Sequence, residues 1–181
     1  MKRFLSLLLT VVLVLSAMTA ALADTLFETA YYTLNLPEGW EIDQDNLEEQ
    51  SNETMEVLGY FYSTEEIGLV VSAYLAVNGD AQESLADADD ATIQEFVDVL
   101  MEDFTDNQAE YLGIIQAGSI PFVLIRGTDQ YGEFLYAETL INDGSVEFEA
   151  YVLDAAETQY PLTDEAIEQF KSILATFQPA A

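Results

Sequence analysis

The chain has 181 residues, of which 34 are Asp or Glu and only four are Lys or Arg, giving a formal net charge of −30. This balance argues against binding to nucleic acid or to anionic lipid surfaces, because so few cations cannot form a basic patch. Half of the residues are hydrophobic, which predicts a folded domain and not a disordered acidic tail.

The first 23 residues have the composition of a secretory signal peptide. Lys2 and Arg3 precede an apolar run from Phe4 to Leu15, and the segment closes on Ala21-Leu22-Ala23. The run is shorter than the ~20 residues of a spanning helix, and the chain has no Cys to carry a lipid anchor. The sequence therefore predicts cleavage after Ala23. It also predicts a secreted, extracellular chain of residues 24–181 without stable membrane association, with two cations against 34 acids and a net charge of −32.

The first part of the mature chain contains three predicted strands. Thr29–Leu36 is rich in aromatic and β-branched residues and ends at Pro37. Val57–Ser63 and Ile67–Val77 have the pattern of a hairpin. Because the second of these is apolar at nearly every position, it is predicted to lie centrally in a sheet with cover on both faces.

A helix is predicted over Ile93–Phe104, where apolar residues recur at helical spacing and form one buried stripe. Thr92 and Glu95 fit a capping box at its start. Asp89 and Asp90 lie near the positive end of the helix dipole, where negative charge is favourable.

The second part contains four more predicted strands. Leu112–Ala117 and Ile120–Gly127 are separated by Gly118-Ser119. Tyr131–Asn142 and Ser145–Leu153 flank Asp143-Gly144, the sequence that a two-residue type I′ hairpin prefers.

Centring the turn on Asp143-Gly144 fixes a register for this last hairpin. It pairs Ile141 with Val146 on a nearly wholly apolar face. On the other face it places Tyr136 opposite Tyr151, and Glu138 opposite Glu149. The register is supported because a one-residue slip would exchange the two faces.

A second helix is predicted over Thr163–Phe177, with Thr163 as N-cap and acidic residues in the first turn. Runs of neighbouring strands with few helices indicate the α+β class. We expect one domain, built on a single antiparallel sheet of about seven strands with two helices packed on it.

Two segments resemble a known family. The strand that runs into Leu36-Pro37-Glu38-Gly39-Trp40-Glu41-Ile42 is similar to the opening of PsbP-like domains, which share a fold with the nuclear import factor Mog. Residues 170–177 (FKSILATF) are similar to the last helix of small secreted bacterial members. The resemblance implies an α/β/α sandwich over residues 24–181 in which Trp40 is buried. Known members mostly bind or scaffold other proteins, and the resemblance implies no shared activity.

The chemistry available to the chain is narrow. There is no His and no Cys, and no nucleophile elbow or phosphate-binding loop is present. These absences favour a non-enzymatic protein without a cofactor. The alternative is an extracellular hydrolase that uses a pair of carboxylates, which would need a cleft and at least one carboxyl group with a raised pKa.

Calcium is the one metal that the acidic loops suggest, since it binds six to eight oxygen ligands. The hypothesis that this is a weak calcium-binding module rests on five aspartates, Asp43, Asp45, Asp87, Asp89 and Asp90. The first loop departs from the EF-hand pattern because Glu48 stands where Gly is required and Thr54 where the closing Glu is required. Solvated acidic loops with weak affinity for any cation are the alternative.

A binding surface is predicted on the last hairpin, where aromatic and acidic side chains should project together. Its residues are Phe134, Tyr136, Glu138, Glu147, Glu149 and Tyr151. Aromatic rings beside carboxylates suit a basic protein or peptide, or a neutral glycan. The alternative is that a helix covers the rings while the acids reach solvent. Arg126 is expected to form a cross-strand ion pair with Glu133.

N-terminal sequencing of the exported protein tests the signal-peptide prediction. We expect the sequence to begin at Asp24, because the Ala-x-Ala motif ends at Ala23. Exported protein that retains Met1 would contradict it.

Overall fold

The computed structural model describes residues 25–44, 47–76, 84–142 and 144–180, so the predicted signal peptide lies outside the described residues. The strands run in chain order as β1 Thr25–Glu28, β2 Tyr32–Leu36, β3 Trp40–Asp43, β4 Met55–Ser63, β5 Ile67–Ala76, β6 Glu110–Ala117, β7 Ile120–Thr128, β8 Glu133–Ile141, β9 Gly144–Asp154, β10 Gln159–Tyr160 and β11 Gln178–Pro179. The helices are the single turn α1 Leu47–Gln50, then α2 Asp90–Asp103 and α3 Asp164–Leu174.

The main sheet is antiparallel, with the order β3-β4-β5-β9-β8-β7-β6 and β10 added to β9. This confirms the α+β class, with eight strands in place of about seven. The expectation of a single sheet was wrong, because β2 pairs with β1 and β11 in a separate three-stranded sheet. The predicted strand Thr29–Leu36 begins only at Tyr32, since the Thr29 hydroxyl accepts hydrogen bonds from the backbone N–H groups of Tyr31 and Tyr32 and forms a turn there.

The Pro-x-Gly-Trp segment is the corner between the two sheets. Gly39 has φ +81°, a left-handed conformation that favours glycine. Its carbonyl oxygen accepts hydrogen bonds from the N–H of Thr64 (2.7 Å) and from the Thr64 hydroxyl (2.9 Å). Trp40 is 4% exposed, and its ring centroid lies 5.8 Å from that of Phe61, which confirms the predicted burial.

The main core lies between one face of the large sheet, helix α3 and the three-stranded sheet. Thr163 caps α3 as predicted, since its hydroxyl accepts a hydrogen bond from the N–H of Ala166 (3.1 Å). The helix ends at Leu174, and the side chain of Phe177, three residues later, is buried in the core. The Phe177 ring lies 4.8 Å from that of Tyr32 and 5.0 Å from that of Phe122, so it joins both sheets.

Helix α2 packs on the opposite face of the sheet, where Val97 and Leu100 meet Val123 and Ile125 of β7. This gives the expected α/β/α layering. The predicted capping box was wrong, because the N-cap is Asp89. Its carboxylate accepts hydrogen bonds from both the N–H and the hydroxyl of Thr92, so the Thr92 hydroxyl is a donor to Asp89 instead of an N-cap acceptor.

Strand β5 lies inside the sheet as predicted, between β4 and β9. The prediction that other elements cover both faces of β5 was wrong. Val71, Ala73 and Leu75 are buried, whereas the alternate side chains, including Ser72 and Tyr74, are only half-buried. The reason is that α2 packs over β7 at one side of the sheet, leaving the same face of β5 accessible.

A substitution at Gly127 should test the packing beneath α2. Gly127 pairs with Phe134, and a Cβ at this position would overlap the Phe134 ring, with the ring's Cε1 only 2.8 Å away. We expect Gly127→Ala to lower the free energy of unfolding by about 1–3 kcal/mol, as overpacked cores do. Chemical denaturation would measure the change.

The matched control is the same substitution in a Phe134→Leu background, where the ring is absent and the penalty should shrink. An equal penalty in both backgrounds would show that the Phe134 ring is not its cause.

Candidate functional site

The hairpin β8–β9 has a different register from the predicted one. Ile141 pairs with Gly144, whereas a turn centred on Asp143-Gly144 would pair Ile141 with Val146. Moving a two-residue turn back by one position changes every cross-strand partner by two residues. Such a shift keeps each side chain on its face, so the hydrophobic pattern could not distinguish the two registers.

The observed register brings Glu138 opposite Glu147 and Tyr136 opposite Glu149. The predicted pairing of Glu138 with Glu149 was therefore wrong. These side chains project from the sheet on the side of α2. Together they form a surface that we call the acid–tyrosine face, which consists of Phe134, Tyr136, Glu138, Ser145, Glu147, Glu149 and Tyr151.

Glu138 is the buried member of this face, with 8% of the residue exposed. Its carboxylate accepts hydrogen bonds from the hydroxyl of Tyr136 (2.7 Å) and from the hydroxyl of Ser145. Burial raises the pKa of the carboxyl group, and the two hydrogen bonds oppose that rise. Glu138 is thus a satisfied internal carboxylate that contributes its charge to the site but little open surface.

Glu147 is half-buried beside it. Burial first, and then the negative charge of Glu138, raise the pKa of Glu147 to about 7. The hydroxyl of Tyr136 opposes the rise, and the charge of Glu149 adds to it. The charge of the acid–tyrosine face consequently changes close to neutral pH.

Glu149 and Tyr151 form the next part of the face. The Tyr151 hydroxyl oxygen lies 2.8 Å from Glu149 Oε1 and 3.2 Å from Asp129 Oδ2. Burial raises the pKa of both Glu149 and Tyr151, and the neighbouring carboxylates raise that of Tyr151 further. The Tyr151 hydroxyl therefore remains a proton donor to these acids over the whole physiological range.

Part of the aromatic surface is covered. Phe104, at the C-terminal end of α2, lies with its ring centroid 5.9 Å from that of Phe134 and 4.7 Å from that of Tyr136. Phe134 is 2% exposed. The predicted alternative, in which a helix covers the rings, thus describes these two residues. Tyr136 is half-buried beside the Phe104 ring, and Glu147, Glu149 and Tyr151, which are also half-buried, form the open half of the face.

Sequence reasoning missed Ser145, Tyr74 and Asp129 as members of this neighbourhood. Tyr74 of β5 pairs with Glu147, and Ser145 is aligned with Glu138 only by the observed register. Asp129 carried a detectable local signal, because an Asp followed three residues later by Gly is typical of a turn closed by the Asp side chain. Its proximity to Tyr151 was not accessible from the sequence.

Arg126 and Lys171, the basic residues in the part of the chain that the structure describes, lie away from the acid–tyrosine face. Arg126 forms the predicted ion pair with Glu133, at 2.5 Å, and the other Glu133 oxygen accepts a hydrogen bond from the N–H of Leu162 ahead of α3. The pair is diagonal, since the backbone partner of Arg126 is Leu135. Lys171 on α3 pairs with Glu168 at 2.8 Å.

The acidic loops considered for calcium are not brought together. Asp43 lies at the end of β3, one edge of the main sheet. The N–H of Asp87 donates to the carbonyl of Ser119 in the β6–β7 turn at the other edge, and Asp89 caps α2. Asp90 is the first residue of α2, and Asp45 lies outside the described residues. Within the described ranges, no group of three or more acidic side chains is placed to hold a metal ion.

In the part of the chain that the structure describes, no helix is both long enough and apolar enough to cross a membrane. No protein-family model matches the chain, and no curated protein matches it.

Solved structures do match. One is the solution structure of cyanobacterial PsbP (CyanoP) from Synechocystis sp. PCC 6803, with 16% identity and a TM-score of 0.44, covering 87% of this chain and 94% of that one. Another is a crystal structure from Bacteroides thetaiotaomicron VPI-5482, with 12% identity and a TM-score of 0.39. It covers 88% of this chain, which spans about half (49%) of that protein's length. Both are likenesses of fold alone.

The raised pKa of Glu147 predicts how stability depends on pH. Folding favours the protonated carboxyl group, so its contribution is fully present below the ordinary pKa of 4.5 and is lost as pH rises through about 7. We expect Glu147→Gln to raise the free energy of unfolding by about 1–3 kcal/mol at pH 8 and to change it little near pH 4. Urea denaturation across this pH range would measure it.

Glu102→Gln, on the exposed side of α2, is the matched control for loss of one negative charge. An equal gain from both substitutions would assign the effect to net charge and not to the environment of Glu147.

Proposed function

We propose that this protein is a secreted, non-enzymatic binding module that holds a basic protein or peptide on the open half of the acid–tyrosine face. The observation that carries the proposal is the position of Glu147, Glu149 and Tyr151. They stand in one row on β9 beside Asp129, and neither Arg126 nor Lys171 lies on this face.

The electrostatics of the face favour a cationic partner. Glu138 and Glu147 are direct cross-strand neighbours, and like charges in that position destabilise a sheet. The chain offsets this repulsion with hydroxyl donors from Tyr136, Ser145 and Tyr151. A bound cationic group would relieve the remaining repulsion, so part of its binding free energy would come from strain already present in the free protein.

A basic partner also fits the charge of the whole molecule. A formal charge near −30 accelerates the association of positively charged partners and repels acidic ones. Binding of this kind weakens as salt screens the charges, since the Debye length is about 8 Å at 0.15 M. A neutral glycan stacked on tyrosine would show little dependence on salt, which separates the two ligand classes.

A carboxylate-pair hydrolase is the second candidate, and one observation favours it. The pKa of about 7 at Glu147 suits a general acid at neutral pH, and two carboxyl groups are close to it: Glu138 lies opposite on β8 and Glu149 two residues along β9. We rank it second because Glu138 already accepts a hydrogen bond at each carboxylate oxygen, and Glu149 accepts one from Tyr151.

Calorimetry with a synthetic 12-residue peptide of alternating Arg and Gly tests the proposal. We expect Glu149→Gln to weaken binding about fivefold or more, because it removes a carboxylate from the open half of the face. Glu102→Gln removes the same charge elsewhere and should weaken binding less than about twofold. Affinity should fall between 0.05 and about 0.3 M salt.

Equal effects of the two substitutions would reduce the binding to general charge attraction and overturn the proposal. Hydrolysis of a glycoside or ester substrate that is abolished by Glu147→Gln would instead establish the second candidate.

A further inference from the structure

A groove of about 410 Å³ lies at the open end of the β8–β9 hairpin, next to the acid–tyrosine face. It is lined by Tyr131, Tyr151, Leu153, Glu157 and Gln159. Two tyrosines and a leucine provide apolar walls, and the only charged lining residue is a carboxylate. Sites of this size with mostly apolar walls and a few polar groups are typical of ligand pockets.

One wall of the groove is the exposed side chain of Tyr131, which lies on a hydrogen-bonded turn. Tyr131 is 71% exposed. The N–H of Asp129 donates to the carbonyl of Gly132 (2.9 Å), and Asp129 Oδ1 accepts hydrogen bonds from the N–H groups of Tyr131 (2.8 Å) and Gly132 (2.9 Å). Because the backbone of this turn is already ordered, little conformational entropy of the protein would be lost when a ligand packs on Tyr131.

The second wall is equally fixed. The side-chain amide of Gln159 donates to the carbonyl of Glu133 (2.8 Å) and packs against Gly132, where a Cβ would come within 2.8 Å of it. Glu157 stands on the loop that follows β9, and its N–H donates to the carbonyl of Asp154 (2.9 Å). The two loops thus face each other across the groove as preformed walls.

The charges around the groove share one sign. Glu157 lines it, and the hydroxyl of Tyr151 connects it to Asp129 and Glu149. Arg126, the nearest cation along the chain, is held by Glu133 and does not line the groove. The occupant with complementary charge is therefore a cation that can also pack on aromatic rings.

We propose that this groove binds an arginine side chain of the basic partner, with the guanidinium against Tyr131 and Tyr151 and hydrogen-bonded to Glu157. This inference rests on the proposed function. It adds a subsite that prefers arginine over other side chains of the basic partner. Arginine fits better than lysine because its guanidinium is planar, weakly hydrated, and able to stack on a ring while it donates to a carboxylate.

The test uses the same Arg-Gly peptide and two analogues, in which citrulline or lysine replaces every arginine. Citrulline keeps the shape of the side chain and removes its charge. Calorimetry at low salt should show binding of the arginine peptide about tenfold tighter than that of the citrulline peptide, and about threefold or more tighter than that of the lysine peptide.

Tyr131→Ala is the informative variant because its side chain is in solvent and its loss should not unfold the protein. We expect it to weaken binding of the arginine peptide about fivefold. Tyr111→Ala is the matched control, since Tyr111 is also exposed (40%) but lies on β6 at the far edge of the sheet. Amide chemical shifts of Tyr131, Glu157 and Gln159 should move on addition of the peptide.

The failures of the two proposals are distinguishable. If Glu149→Gln weakens binding while Tyr131→Ala behaves like Tyr111→Ala, the acid–tyrosine face binds a basic partner but the groove is not its arginine subsite. Lysine and arginine peptides of equal affinity would also overturn the arginine assignment. If Glu149→Gln has no more effect than Glu102→Gln, the proposed function itself fails.

Discussion

The pairing of β9 with β5 on one side and β8 on the other is the constraint on which the rest of the structure depends. Successive side chains of a strand point to opposite faces. Val146, Phe148 and Ala150 are buried in the main core, so Glu147 and Glu149 must project to the other side. The same alternation that builds the core therefore assembles a row of acids in the middle of the sheet.

The cost of those acids determines the local chemistry. Burying a carboxylate without hydrogen-bond partners is unfavourable, and this cost is reduced in a different way at each of the three acids. Glu138 accepts two hydroxyl hydrogen bonds, Glu149 accepts one from Tyr151, and Glu147 has a pKa raised to about 7. The tyrosines are thus hydrogen-bond donors to acids as well as aromatic surface, which explains why the two residue types occur together on these strands.

The groove next to the β8–β9 hairpin is formed partly by turns that adjoin the acid–tyrosine face. It is lined by the turn at residues 129–132, by the end of β9 and by residues 157 and 159, which come together because β8 pairs with β9 and β10 folds back on β9. Each loop is closed by an aspartate, Asp129 in one and Asp154 in the other, whose side chain accepts backbone N–H groups. Local turn chemistry makes the walls rigid, and the sheet brings them into register.

The sequence predicted the parts of the fold that have a strong local period. The stripes of α2 and α3 and the longer strands follow from apolar spacing, and the Thr163 cap follows from the residue type. The Arg126–Glu133 ion pair was predicted, although the two residues are diagonal in the sheet and not opposite each other. The two-residue strand β10 and the four-residue strands β1 and β3 are too short to show a period. The division into two sheets was not predicted. Alternation of apolar and polar residues indicates that a segment is a strand, but it does not indicate which strands pair with it.

The two-residue period of a strand is therefore enough to tell from the sequence which side chains share a face. What the tertiary structure decided is which of them touch. The shift of the hairpin turn by one position kept every face and changed every partner, placing Glu138 against Glu147 and Ser145 in place of Glu149. Likewise, only the packing of α2 over β7 and of Phe104 over Tyr136 decided which half of the face is covered and which half remains open to solvent.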